Sequence, residues 1–152
     1  LAHDKIRDVV YSEAGAARRQ VYHRRAFEGL AAISAPPAEL AHHALVARLA
    51  EPAFRYSLAA GDEAMRLFAV RDAVIHYEHA QTLAAGQATI QQLQQLHLQL
   101  GRAYELINDT DKARTTYKTL LDLAQEAKAP EVECAALNRL AANGAGPFGI
   151  DP

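Results

Sequence analysis

The chain has 152 residues, a formal net charge of −2 and 22% charged residues. This length suits one domain with its own core, and the near-neutral charge excludes a protein that attracts nucleic acid or acidic lipid through its overall field. Hydrophobic residues make up 50% of the chain, with four Phe and no Trp, which favours closely packed helices over a sheet. No apolar run reaches the ~18 residues that a membrane-spanning helix needs. The single cysteine, Cys134, cannot form an intramolecular disulfide and fits a reducing, cytoplasmic environment.

Apolar residues recur at one-turn spacing along most of the chain, which predicts a succession of helices. Asp4 can cap a first helix, and Pro36-Pro37 separates the second from the third. The periodic segments predict helices over residues 16–33, 38–49, 51–68, 70–85, 89–107, 109–127 and 130–142. No segment shows sustained alternation with a period of two, so we expect no sheet.

A repeated spacing of small and large residues organises these helices into pairs. Three sets of residues share intervals of twelve and sixteen positions: Gly29, Ala41 and Leu45; Gly61, Ala73 and Tyr77; and Gly101, Ala113 and Tyr117. The glycines are 32 and 40 residues apart, near the periods of ~34 to ~40 residues found in helical-repeat proteins. We therefore predict that the second helix pairs with the third, the fourth with the fifth and the sixth with the seventh.

The most complete copy, with Leu100-Gly101, Tyr104, Ala113 and Tyr117 in this order, resembles a tetratricopeptide repeat. The resemblance implies an all-α fold in which antiparallel helix pairs stack as a right-handed solenoid. In repeats of this type the first helix of each pair lines a concave side that binds partners.

The beginning of the chain carries a second resemblance. Residues 2–11, with His3-Asp4 followed by Ile6-Arg7, resemble a segment near the end of the ATPase core in bacterial signal-transduction ATPases of the STAND class. The arginine-rich residues 17–25 resemble the helix that follows there, and helical repeats often come next. This resemblance implies three parts: residues 1–15 left from an ATPase-associated domain, the repeats over 16–142, and a linker or tail over 143–152.

In that family the histidine that matches His3 can lie near bound nucleotide and help to hold the resting state. Ala2 departs from the larger apolar residue usual at its position. The chain has no Gly-x-x-x-x-Gly-Lys-Ser/Thr phosphate loop, so His3 is expected to sense nucleotide only in a full-length parent protein.

The sequence offers no catalytic or metal-binding motif. His76 and His79 lie three positions apart and His42-His43 form a second group, but no His-Glu-x-x-His or paired-cysteine spacing accompanies them. Cys134 lies in an apolar helical stretch where a buried thiol is expected. We therefore predict no catalytic residue, no metal and no cofactor.

The predicted functional surface is the concave side of the repeats. Counting from the three glycines predicts the exposed groove positions His23, Arg55, Asp62, Met65, Arg66, Gln95, Leu98, Arg102 and Glu105. The sequence thus predicts a non-catalytic module that binds a protein, peptide or small effector within a larger ATP-dependent signalling or transcriptional regulator. It would also contact the ATPase core of the parent chain, without direct contact with nucleic acid or membrane. The alternatives are a free-standing tetratricopeptide adaptor and a small helical enzyme.

Overall fold

The computed structural model describes residues 15–86 and 88–144, and within these ranges the secondary structure is entirely helical. The helices are α1 (Ala16–Ala32), α2 (Pro37–Val46), α3 (Ala50–Arg66), α4 (Val70–Leu83), α5 (Ile90–Leu106), α6 (Thr110–Glu126) and α7 (Pro130–Gly144). Neighbouring helices pack in sequence order, which confirms the all-α prediction and agrees with a repeat solenoid. None of the helices in these ranges is long and apolar enough to cross a membrane. The predicted helix that begins near Asp4, and the residues after 144, lie outside the described ranges.

The turns between helices are tight because one residue in most of them takes a left-handed conformation. After α3, the φ of Phe68 is 59°, and the N–H of Ala69 donates to the carbonyl of Ala64 at 2.9 Å. The same backbone bond closes the turns at Ser34, Arg48, Asn108 and Lys128, which also have positive φ. This closure satisfies carbonyl groups that a helix end leaves open. The chain therefore reverses within three or four residues at these five turns.

Two glycines allow neighbouring helices to approach closely. A Cβ atom on Gly61 would lie within 3.0 Å of the ring of Tyr77, and one on Gly101 would meet Tyr117 in the same way. Both tyrosines are fully buried. The two predicted pairs, α3 with α4 and α5 with α6, are therefore each held by a tyrosine ring seated on a glycine.

The prediction that Gly29 has the same role in the first pair is wrong. Gly29 is exposed, and a Cβ added to it would meet no atom within 4 Å. Ile33, the C-cap of that helix, is 74% exposed.

Counting from the helix caps gives the true register of the first pair. Three residues lie six positions before the C-caps of α1, α3 and α5: Phe27, Gly61 and Gly101. Three others lie eight positions after the N-caps of α2, α4 and α6: Ala44, Tyr77 and Tyr117. The first pair thus has a large residue where the others have glycine, and a small buried one where they have tyrosine. Phe27 is half-buried and packs edge-on against Tyr56 of α3, with the ring centroids 5.8 Å apart.

Tyrosine–carboxylate hydrogen bonds join the four central helices. The hydroxyl of Tyr77 donates to Asp62 at 2.7 Å, that of Tyr104 to Glu78 at 2.7 Å and that of Tyr117 to Glu105 at 3.0 Å. Burial, reinforced by these carboxylates, raises the pKa of all three hydroxyls well above the ordinary value. The hydroxyls therefore stay protonated and act as donors, linking α3 to α4, α4 to α5 and α5 to α6.

Candidate partner-binding groove

A groove of about 310 Å³ opens between α3, α4 and α5. Its lining residues are Asp62, Met65, Arg66, Tyr77, Gln99 and Arg102. Four of them were predicted for the concave face, and the structure brings these four together across two helix pairs. Tyr77 and Gln99 were not predicted. The repeated spacing predicts Tyr77 as a core residue and does not show that its hydroxyl end reaches the groove. Gln99 belongs to no motif that would single it out.

Asp62 is held by two groups of the chain. The hydroxyl of Tyr77 donates to Oδ1 at 2.7 Å, and Nε2 of Gln95 donates to Oδ2 at 2.9 Å. These bonds join α3 to α4 and α5. Asp62 therefore shapes the groove, with part of the acceptor capacity of its carboxylate already used.

The positive charge of the groove comes from two arginines. Arg66 has a 75% exposed side chain and lies 3.9 Å from Glu63 on its own helix, a long surface ion pair that contributes little energy. Arg102 is exposed and forms no ion pair with any residue that the structure describes. A guanidinium group binds carboxylates through two parallel hydrogen bonds, so the groove is suited to an acidic group.

Two predicted groove residues have roles inside the fold. Glu105 accepts hydrogen bonds from Tyr117 at 3.0 Å and from Nδ2 of Asn143 at 2.7 Å, and so connects α5 with both α6 and α7. Leu98 is half-buried and packs against the apolar core. Neither lines the groove.

Gln95 was also predicted; it is outside the groove lining and acts through its hydrogen bond to Asp62. The remaining two predicted residues lie apart from the groove. Arg55 is exposed, with its guanidinium 4.8 Å from the ring centre of Tyr56 and 3.8 Å from Glu51. His23 is only 7% exposed, so the prediction that it is an open groove position is wrong. The cause is that the sequence-based prediction used the wrong register for α1 and so assigned the inward-facing His23 to the surface.

His23 instead belongs to a cluster of three histidine rings. Its centroid lies 5.4 Å from that of His42 and 4.8 Å from that of His43, which are themselves 5.2 Å apart. Burial lowers the pKa of His23 and of His43, and the neighbouring histidines lower it further, while Glu39 partly opposes the shift at His43. Among the residues that the structure describes, no group of three or more His, Cys, Asp or Glu is arranged to hold a metal ion.

These histidines predict that stability falls in mild acid. The pKa of His76 and of His97 is also lowered, chiefly by burial, so four histidines bind protons less readily folded than unfolded. Below their unfolded pKa of 6.5 the unfolded state takes up more protons, so stability is complete above that value and lost as the pH drops toward the folded values. We expect the melting temperature to fall by several degrees between about pH 7.5 and about pH 5.5.

The matched variant is His43→Gln, which removes one of the four groups. Its melting temperature should depend less steeply on pH than that of the unchanged protein. Equal slopes for the two, or a flat profile for both, would contradict this account.

Several large hydrophobic residues are exposed at one set of turns. They lie at the ends of α1, α3 and α5 or just after them: Ile33, Leu67, Phe68, Leu106 and Ile107. Leu67 is the C-cap of α3 and is 72% exposed. Cys134 is likewise exposed rather than buried, because on α7 the inward positions are those of Val132 and Ala136.

The fold and the groove together define an all-α protein of helices packed in sequence order, with a polar cleft crossing its central helices. In comparisons with protein-family models, curated proteins and solved structures, the chain shows no match.

Proposed function

We propose that this chain is a non-catalytic binding module that holds an acidic segment of a protein or peptide partner in the groove between α3 and α5. The observation that carries the proposal is the division of charge in the groove. Both oxygens of Asp62 accept hydrogen bonds from the chain, whereas Arg66 and Arg102 remain exposed. The hydrogen bonds do not remove the charge of Asp62, but the two arginines outnumber this single carboxylate, so the lining carries a net positive charge.

The shape of the groove supports a short segment rather than a large surface. A volume of about 310 Å³ accommodates one or two side chains, which suits an anchor residue with flanking contacts. Met65 supplies an adaptable apolar wall beside the arginines. A partner with an acidic residue next to an aliphatic one matches this lining.

Replacing both arginines tests the proposal. Arg66→Glu/Arg102→Glu should weaken binding by tenfold or more, since the two cations become anions facing an acidic ligand. The melting temperature should hardly change, because exposed charges contribute little stability. The ligand would be a peptide selected from a random library by the unchanged protein, and binding would be measured by calorimetry.

The control is Arg114→Glu/Lys118→Glu, which makes the same change of charge at exposed positions of α6. It should leave binding almost unaltered. If both double variants weaken binding equally, the effect comes from overall charge and not from the groove. If the groove variant does not weaken binding, the binding site lies elsewhere.

We further propose that the module works within a larger ATP-dependent signalling or transcriptional regulator. Support comes from the resemblance of residues 2–11 and 17–25 to STAND-class ATPases, although His3 lies outside the described residues. Partner binding would then bias the parent ATPase between resting and active states. A phosphate-loop motif encoded upstream of residue 1 would support this setting, and its absence would favour a free-standing adaptor.

A small helical enzyme is the third candidate function. Support for it would be a measured turnover of a substrate that Cys134→Ala or His76→Ala abolishes.

A further inference from the structure

A second cavity, of about 330 Å³, lies beside the junction of α4 and α5 and is separate from the groove. Small and aliphatic residues form most of its wall, including Ala84, Ala88, Leu93 and Leu123. The described lining contains no charged residue and shares no residue with the groove. The volume is at the lower end of the range of small-molecule sites, which are also mostly apolar with a few placed polar groups.

The cavity occurs where the repeat is longest. The junction between α4 and α5 spans residues 84–89, whereas the other junctions have three or four residues. This extension and the greater length of α4, with 14 residues against 10 in α2, both contribute to the 40-residue spacing between Gly61 and Gly101. Four residues of the extension, Ala84, Ala85, Gly86 and Ala88, line the cavity.

A buried histidine provides the cavity's main polar group. His97 is 2% exposed and lines the cavity. Its Nδ1 lies 2.8 Å from the carbonyl oxygen of Leu93. Because a carbonyl only accepts, Nδ1 carries the proton of this bond, and Nε2 of the neutral ring is left as an acceptor.

No described residue donates a hydrogen bond to that Nε2 atom. Burial lowers the pKa of His97 and outweighs the opposing effect of the Leu93 carbonyl, which keeps the ring neutral near pH 7. Nε2 of His97 is not one of the fully buried atoms without a partner, so it is accessible from the cavity that His97 lines, and a donating ligand can bond to it in place of water.

Thr119 adds a second acceptor to the lining. Its Oγ1 donates to the carbonyl of Thr115 at 3.1 Å, so the hydroxyl has only lone pairs left to offer. Both groups therefore favour a hydrogen-bond donor, and the amide of Gln81, which also lines the cavity, can donate or accept.

We infer that this cavity binds an uncharged small molecule with an apolar ring system and one hydroxyl or N–H group that donates to Nε2 of His97. The uncharged lining excludes an ionic ligand, and the acceptors orient the donating group. Such a site would give the module an effector input distinct from the partner groove, and it does not depend on the function proposed for that groove.

The test uses two probes that share a ring system and differ in the donor. 2-Naphthol has a hydroxyl, and 2-methoxynaphthalene replaces it with a group that cannot donate. In the unchanged protein, amide NMR signals of Gly86, Ala88 and Thr119 should shift saturably with both probes. 2-Naphthol should bind about five- to tenfold more tightly, the ratio expected of one neutral hydrogen bond.

Two variants separate the donor effect from the cavity itself. His97→Phe keeps a ring but removes the acceptor, so 2-naphthol should lose its advantage while 2-methoxynaphthalene is unaffected. Ala85→Trp, at an exposed edge of the cavity, should block both probes without altering the buried histidine. Arg66→Glu/Arg102→Glu should change neither affinity.

Three results would overturn the inference. They are the absence of saturable shifts at the cavity amides, equal affinity of the two probes for the unchanged protein, and undiminished binding of both probes by Ala85→Trp. None of the three needs the His97 variant, so they decide the matter even where His97→Phe does not fold.

Discussion

Tyr117→Ala should lower the free energy of unfolding by about 3–5 kcal/mol, because truncating a buried aromatic ring leaves a cavity that its neighbours cannot fill. Tyr117 is fully buried between α5 and α6, and its ring rests directly on Gly101. The substitution also removes the hydrogen bond that the hydroxyl of Tyr117 donates to Glu105. Urea denaturation followed by circular dichroism would measure the change.

Tyr117→Phe is the matched control. It keeps the ring and removes only the hydroxyl that donates to Glu105 at 3.0 Å, so it should cost about 1 kcal/mol. Glu105 still accepts from Asn143, which limits the penalty. A loss for Tyr117→Ala no larger than that for Tyr117→Phe would show that the ring does not hold the helix pair.

The helices could be predicted because their apolar stripes are long and regular. Each described helix begins and ends within three residues of its predicted bounds. The second and third pairs could also be predicted, since Gly61 with Tyr77 and Gly101 with Tyr117 repeat one spacing. That spacing reflects a physical contact, a ring on a glycine, and not only a recurrence of letters.

The register of the first pair could not be found in the same way. The junction after α1 has four residues, one more than the junctions after α3 and α5. The order of large and small residues is also reversed, with Phe27 and Ala44 in the equivalent positions. A fixed interval therefore selected Gly29, which has no packing role.

The left-handed conformation of most turn residues could likewise not be predicted from the sequence. Asn108 has a φ of 63° and is a residue type that tolerates positive φ. Arg48, Phe68 and Lys128 adopt the same conformation although their side chains disfavour it by about 1 kcal/mol or more. The packing of the flanking helices imposes these turns, and local propensity does not reveal them.

The groove was predicted in part for a similar reason. Helical spacing places Asp62, Arg66 and Arg102 on one side, so their proximity follows once the pairs stack. The hydrogen bonds that occupy Asp62 depend on the exact distance between α3, α4 and α5, which a periodic pattern does not define. The cavity beside His97 had one sequence signal, the lengthened interval between the last two glycines.

Replacing Gly29, Gly61 and Gly101 one at a time with alanine should change the free energy of unfolding in opposite directions within one protein. Gly61→Ala and Gly101→Ala should each destabilise by about 1–3 kcal/mol, because the added Cβ collides with a buried tyrosine ring. Gly29→Ala should instead stabilise by about 0.5–1 kcal/mol, since this glycine is exposed, its surroundings are open and alanine favours the helix.

A double-mutant cycle tests whether the collision is the cause. In Gly101→Ala/Tyr117→Ala the new methyl group no longer meets the ring, so the combined loss should fall short of the sum of the single losses by about 1–2 kcal/mol. Gly29→Ala/Tyr117→Ala should show additive effects, because Gly29 and Tyr117 lie on helices that do not pack against each other. Equal signs for all three glycine variants would mean that helix propensity alone governs these positions. Additivity at Gly101 would mean that its close contact with Tyr117 does not limit the approach of α5 and α6.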